Sequence, residues 1–244
     1  MLWPLSQLYG LGSWWRNKRY DRGTYQSFEF DFPVILVGNL TTGGTGKTPH
    51  VELLIRLLRD RFKLATLSRG YKRKTVGYIL STEKSLVEDI GDEPKQFKQK
   101  FPDVEVGVSE YRLIGIPGIL EDEPEVQSII MDDGFQHRQV KPGFSILLTA
   151  FDDLFCDDML LPAGNLREHK SGYKRADAII VTKCPCSISE REQTNIVEKI
   201  NPTEKQRLYF STNEYLSPYG LFDKKNQVDL NKQVDVLLVC GIAK

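Results

Sequence analysis

The fold class this sequence predicts is α/β, a mainly parallel sheet with helices on both faces, and three observations predict it. Short apolar runs alternate along the chain with stretches of helical periodicity, the pattern of strands joined by crossover helices. One glycine-rich turn stands directly between such a run and such a stretch. The 244 residues, 40% of them hydrophobic, suffice for one substantial core.

The elements follow in order. Residues 1–15 carry Leu2, Trp3, Leu5, Leu8, Tyr9, Leu11, Trp14 and Trp15, with Arg16, Lys18 and Arg19 after them; all 3 tryptophans of the chain lie here. The stretch is shorter than the ~20 apolar residues of a spanning helix. Its charges follow the apolar residues and no small-residue cleavage site is evident, unlike a signal peptide. Two readings stay open at this point: an anchor at the membrane interface, or a helix docked on the protein's own core. The run 32–39, FPVILVGN, reads as a buried strand. Beyond the glycine-rich turn, Pro49 suits a first helical turn, and Val51, Leu54, Ile55 and Leu58 recur at helical spacing opposite Glu52, Arg56 and Arg59. Further strands are expected at 63–68, 104–108, 127–131, 145–149, 178–181 and 234–239. In such a sheet, functional groups collect at the carboxyl ends of the strands.

Composition removes several classes of function. Lys plus Arg and Asp plus Glu number 33 each, so no global charge argues for nucleic acid or an acidic partner. The 4 cysteines are too few for a disulfide scaffold. Cys184 and Cys186 stand one residue apart without a second pair or a nearby histidine, which argues against zinc, and Cys156 and Cys240 read as core or incidental. A reducing cytoplasm fits.

The turn itself is Thr41-Thr42-Gly43-Gly44-Thr45-Gly46-Lys47-Thr48. Between a strand and a helix this is the setting of a phosphate-binding P-loop, in which backbone N–H groups and the positive helix end cradle anionic oxygens. Lys47 is expected to reach the β- and γ-phosphates of a nucleoside triphosphate, and the Thr48 hydroxyl to hold Mg²⁺. The general pattern has glycine where Thr41 stands; Gly43 and Gly44 are expected to supply the conformational freedom. Asp132-Asp133-Gly134 closes the strand 127–131 as an acidic Walker B group does, with one carboxylate on the metal; the sequence leaves open which. Gly91-Asp92-Glu93-Pro94 sets two carboxylates at an expected helix start. Arg112 and Arg167 are candidate phosphate clamps, and His137 is one of 3 histidines.

Together these motifs resemble the tetraacyldisaccharide 4'-kinase (lipid A 4'-kinase) family. VGNLTTGGTGKTP, LSRGYKR, GDEP, VGVSEYR, MDDGFQH, LLPAGNLRE and IIVTK run in family order over essentially the whole chain, and Thr41 is itself a family feature. The resemblance implies a P-loop kinase using ATP and Mg²⁺. The acceptor would be the 4'-hydroxyl of tetraacyldisaccharide 1-phosphate, at the cytoplasmic face of a Gram-negative inner membrane, with no nucleic acid or protein partner implied. It implies catalytic roles for Asp92, which activates the attacking hydroxyl, and for Glu93, Lys47 and Asp133. Arg69, Arg112, Gln136, His137 and Arg167 are implied to bind substrate, and Thr48, Asp132 and Glu168 to serve the metal. Residues 1–30 become a membrane-facing helix and linker, and 31–244 a P-loop kinase core with an incomplete C-terminal lobe. Family members continue past the matching GIA segment at 241–243. A fragment is therefore expected, lacking a histidine that partners the GDEP acid.

Two rivals remain at this level. A regulatory P-loop NTPase of the partitioning or metallochaperone type often begins its loop Lys-Gly-Gly, where Thr42 stands here; a GTPase is a narrower variant, but Thr182-Lys183 is followed by Cys184-Pro185 instead of a base-reading aspartate. The other rival is a membrane-associated ATP-binding module without transfer activity.

Overall fold

The computed structural model describes residues 2–214. In chain order the elements are α1 (Trp3–Asp21), β1 (Phe28–Glu29), β2 (Val34–Asn39), α2 (Lys47–Leu58), β3 (Leu64–Ser68), β4 (Ile79–Leu80), α3 (Val87–Ile90), α4 (Asp92–Lys100), β5 (Glu105–Val108), α5 (Arg112–Asp122), β6 (Ser128–Asp132), β7 (Val140–Lys141), β8 (Phe144–Ala150), β9 (Ala178–Thr182), α6 (Glu190–Ile200) and β10 (Arg207–Phe210). The expected strands from 32–39 to 178–181 all form, within a residue or two of their predicted limits. The strand expected at 234–239 and Cys240 lie outside the described residues.

Eight strands make one sheet in the order β10-β9-β8-β2-β6-β3-β5-β4, and every pairing is parallel except β4 with β5. Parallel strands covered on both faces are apolar throughout, and the side-chain period of two sends alternate residues to opposite cores. One core takes Leu36, Leu67, Ile129, Met131, Leu147 and Ile179, with Ile116 and Ile119 of α5 and Ile196 and Ile200 of α6. The other takes Val37, Leu64, Ile130, Ile146 and Leu148, with Val51 and Ile55 of α2 and Phe97 of α4. Helices therefore cover both faces, as the alternation predicted.

Four short strands escaped the sequence reading. β1 and β7 form a separate two-residue parallel pair, β4 adds two residues at one sheet edge, and β10 closes the other. Each is too short, or too exposed, to show a period. The GDEP segment does start a helix: Gly91 at φ 95° precedes α4, and Asp92 and Glu93 fill its first turn, where the dipole favours anions.

Because Phe97 is fully buried one turn after those carboxylates, it anchors the segment to the core. Phe97→Ala should lower the unfolding free energy by about 3–5 kcal/mol, read as a fall in the denaturant midpoint; an unchanged midpoint would refute that anchoring role.

Candidate functional site

Parallel neighbours β2 and β6 set the site. Their register places Val37 opposite Asp132, so the loop after β2 and the turn after β6 emerge side by side. The loop is held open by backbone geometry: Gly43 (φ 119°) and Gly46 (φ 81°) occupy left-handed conformations. Gly46 was not one of the two glycines expected to do this, and Gly44 takes no positive φ. Thr41 explains its own departure from the general pattern. It is buried and forms an antiparallel bridge with Leu166, a strand-like conformation that does not call for glycine. The 165–167 segment seals that edge: Thr42 N–H donates to Asn165 O (2.8 Å) and Arg167 N–H to Leu40 O (2.8 Å). Asn39 Nδ2 and Thr182 Oγ1 donate to Thr45 Oγ1 and O, at 3.0 and 2.9 Å.

Charged groups converge above this loop. Lys47 Nζ lies 3.6 Å from Asp133 Oδ1, and Arg167 Nη1 donates to both Asp133 oxygens at 2.9 and 3.1 Å. Burial alone would raise the Asp133 carboxyl, but Lys47, Arg167 and Arg112 together hold it below the usual carboxylate range. Asp133 reaches this position in a left-handed conformation, φ 50°. Gln136 completes the cluster, its Oε1 accepting from Arg167 (3.2 Å) and its Nε2 donating to Asn39 O (2.8 Å). On the other side, Thr48 Oγ1 donates to Glu93 Oε1 at 2.9 Å.

Asp132 is the anomaly. It is 1% exposed, and neither carboxylate oxygen has a hydrogen-bond partner. A buried polar atom left without a partner costs on the order of 1–3 kcal/mol, more when charged. Among the described residues no three His, Cys, Asp or Glu side chains form a metal cage. Mg²⁺ asks for less: it takes one or two carboxylates together with water and substrate phosphate oxygens. An orphaned carboxylate near Glu93, which itself accepts from the Thr48 hydroxyl, fits that donor set.

Other expected residues fall elsewhere. Asp92 is exposed and lines a 510 Å³ cleft with Tyr71, Lys72, Leu86, Val87 and Glu88. Arg69 is exposed, with no ion pair among the described residues, whereas Arg73 of the same basic turn is spent on Glu110 (2.6 Å). Two more of the expected residues are held by protein partners. Arg112 is buried, donates to Ser109 O (2.6 Å) and Asp132 O (3.2 Å), and props the acidic turn. Burial lowers its guanidinium to about 10, which still leaves it charged at neutral pH. The two oxygens of Glu168 accept from Arg175 (2.8 Å) and Asn17 (2.7 Å). His137 is half-buried, and burial followed by Arg112 pushes it down to about 4, so it is neutral at pH 7.

Sequence reasoning missed His50. Its Nδ1 is 2.7 Å from Gly46 O, which can only accept, so the proton sits on Nδ1 and Nε2 accepts from Ser211 Oγ (3.1 Å). Its position four residues after Gly46, on the inward side of α2, was the available signal.

The family profile for tetraacyldisaccharide-1-P 4'-kinase (LpxK) matches residues 1–244. Tetraacyldisaccharide 4'-kinases of Flavobacterium johnsoniae and Phocaeicola vulgatus are 49% and 48% identical over 100% and 99% of this chain. The chain spans 72% and 68% of their lengths. The crystal structure of LpxK from Aquifex aeolicus in complex with ATP is similar at TM-score 0.69 and 31% identity, over 87% of this chain and 82% of that one.

Burial, then the like charges of Glu93 and Asp133, push the Asp132 carboxyl from 3.8 up to about 7. An acid raised on folding keeps its proton longer folded than unfolded, so stability falls as pH climbs from the unfolded toward the folded value. With divalent cations chelated, Asp132→Asn should therefore melt several degrees above the wild type at about pH 8, the gap closing toward about pH 4. Equal melting temperatures at the higher pH would show that the carboxylate carries no such burden.

Proposed function

The chain belongs to the tetraacyldisaccharide-1-P 4'-kinase family, and we propose that the cluster around Asp133 is where ATP donates its γ-phosphate to the 4'-hydroxyl of a tetraacylated disaccharide 1-phosphate. One observation carries the reading: an ammonium and a guanidinium, from Lys47 and Arg167, converge beside an orphaned carboxylate at the mouth of a glycine-rich loop. Such a place suits a polyphosphate and its cation and little else.

The loop's N–H groups and the amino end of α2 bind the phosphates. Lys47 and Arg167 exchange Asp133 for phosphate oxygens and spread the charge that develops during transfer. Asp132 and Thr48 are the groups that would hold Mg²⁺, with Glu93 orienting the Thr48 hydroxyl. When bound, the cation offsets phosphate charge as the bond to the leaving oxygen lengthens. Asp92 is the base. It is exposed at the rim of the 510 Å³ cleft, next in sequence to a residue that touches Thr48, and it can take the proton of an incoming hydroxyl. Gln136 and His137 lie on the same turn as Asp133 and serve substrate binding, as does exposed Arg69.

No helix among the described residues is long and apolar enough to cross a membrane. The apolar side chains of α1 nevertheless point outward: Trp3 is 62% exposed, Leu8 67% and Leu11 62%, and Arg19 stacks on Trp15 at 3.6 Å. This face suits the headgroup boundary of a bilayer. The protein then works peripherally, on the cytoplasmic face of a Gram-negative inner membrane where its lipid acceptor resides. Residues 1–30 are the membrane-facing unit and the rest the kinase core.

Radiolabelled ATP, Mg²⁺ and tetraacyldisaccharide 1-phosphate in mixed micelles should yield a labelled bisphosphorylated lipid. Lys47→Ala should slow that transfer roughly a hundred- to a thousand-fold without lowering the melting temperature; near-normal turnover would remove Lys47 from the chemistry. Steady ATP hydrolysis without labelled lipid would favour a switch-type NTPase. Asp92→Ala should depress kcat and leave ATP affinity near normal, and a matching loss of both would make Asp92 a nucleotide ligand.

A further inference from the structure

A helix that served only as a tether would need an apolar outer face and little else. The inner face of α1 is more elaborate. Ser6, Gly10, Ser13 and Asn17 recur with helical period and form its docked stripe, so that small and polar residues meet the protein while the tryptophans face out. Ser6 is buried, and its Oγ donates to Leu160 O at 2.7 Å. At Gly10 the helix lies close to the protein: a Cβ would stand 2.6 Å from Leu160 Cδ1, and that side chain would have to turn aside for any larger residue.

Farther along, the contacts reach the nucleotide site. Tyr9 Oη donates to Arg167 O (2.7 Å), and Asn17 Nδ2 donates to Glu168 Oε2 (2.7 Å). Arg16 donates to Gln136 O, and Arg138 donates to Asn17 O at 2.9 Å. These acceptors are not scattered over the core. Arg167 and Glu168 belong to the segment that bridges Thr41 and seals the glycine-rich loop, and Gln136 bonds the Arg167 side chain. Arg167 is thus gripped at three points: its N–H by Leu40 O, its carbonyl by Tyr9, and its guanidinium by Asp133.

We propose that Tyr9 and Asn17 are positioning residues of the nucleotide site: the inner face of α1 holds the 165–168 segment so that Arg167 is aimed at the outer phosphates of the bound triphosphate. This rests on the reading of the Asp133 cluster as the polyphosphate site. It makes α1 bifunctional, with its apolar face toward a lipid surface and its polar face a wall of the nucleotide site. A guanidinium contributes to binding only when its backbone is held, because a mobile arginine must surrender side-chain and backbone freedom on meeting its ligand.

The test uses the full-length protein in detergent without acceptor lipid, and compares equilibrium affinities for ATP and for AMP, which lacks the outer phosphates. Tyr9→Phe and Asn17→Ala should each weaken ATP by roughly three- to ten-fold, the loss of one hydrogen bond at a positioning group. AMP affinity and partition onto anionic phospholipid vesicles should stay near wild type in both variants, and so should the melting temperature of Tyr9→Phe. Leu8→Ser should do the reverse, reducing vesicle partition while ATP affinity holds. Unchanged ATP affinity in both variants would overturn the proposal and leave α1 a tether. Equal weakening of ATP and AMP would also overturn it, since that marks a general loosening of the fold. Should Asn17→Ala fail to fold, Tyr9→Phe still decides, because it deletes a single exposed hydroxyl. A wild type that binds ATP no better than AMP would fail the underlying site assignment instead, and is distinguished by needing no variant to reveal it.

Discussion

Parallel pairing of β2 with β6, in the register that sets Val37 opposite Asp132, is the constraint from which the rest of the site follows. It delivers a glycine-rich loop and an acidic turn from adjacent strands to one edge of the sheet. Crossovers between parallel strands need a long connection, so the chain inserts β3 to β5 and four helices, α2 to α5, between those two strands. That detour is useful in itself. It carries α4 to the same edge, where Glu93 meets Thr48, and α5, whose Arg112 lies beneath the acidic turn.

The local electrostatics gather several individually unfavourable groups at one place. Asp132 is buried without partners, Asp133 is held in a left-handed conformation between two cations, and Arg112 remains charged in the interior. Each is locally unfavourable, and the surrounding apolar strands, which are fully covered on both faces, sustain the cost. Unfavourable groups gathered at one sheet edge are the mark of a functional site, where local rules yield to chemistry.

The N-terminal helix inverts the usual amphipathic arrangement. A surface helix of a soluble protein turns its apolar stripe inward; here the stripe against the protein is Ser6, Gly10, Ser13 and Asn17, and large apolar side chains face out. Of the two readings that the sequence left open, the docked helix is realised through this polar face; the interfacial anchor is the role proposed above for the opposite face. Hydrogen bonds to the carbonyls of Leu160 and Arg167 and the approach of Gly10 to Leu160 dock this face, which leaves the aromatic face exposed.

Much was legible from sequence because it is encoded locally. Continuous apolar runs marked the six described central strands, the Gly-Lys-Thr turn between strand and helix marked the loop, and Gly91 before two carboxylates marked the start of α4. Motif order was enough to indicate the family. Tertiary structure alone decided what those residues touch. That Arg112 would be buried under the acidic turn, that Glu168 would bind Arg175 and Asn17, and that His50 would span Gly46 and Ser211 depends on partners 3 to 161 positions away. A residue's type and local spacing determine its preferred backbone conformation. Its charge state and partners are set by which distant segments the sheet register brings alongside, and that register is a property of the assembled core.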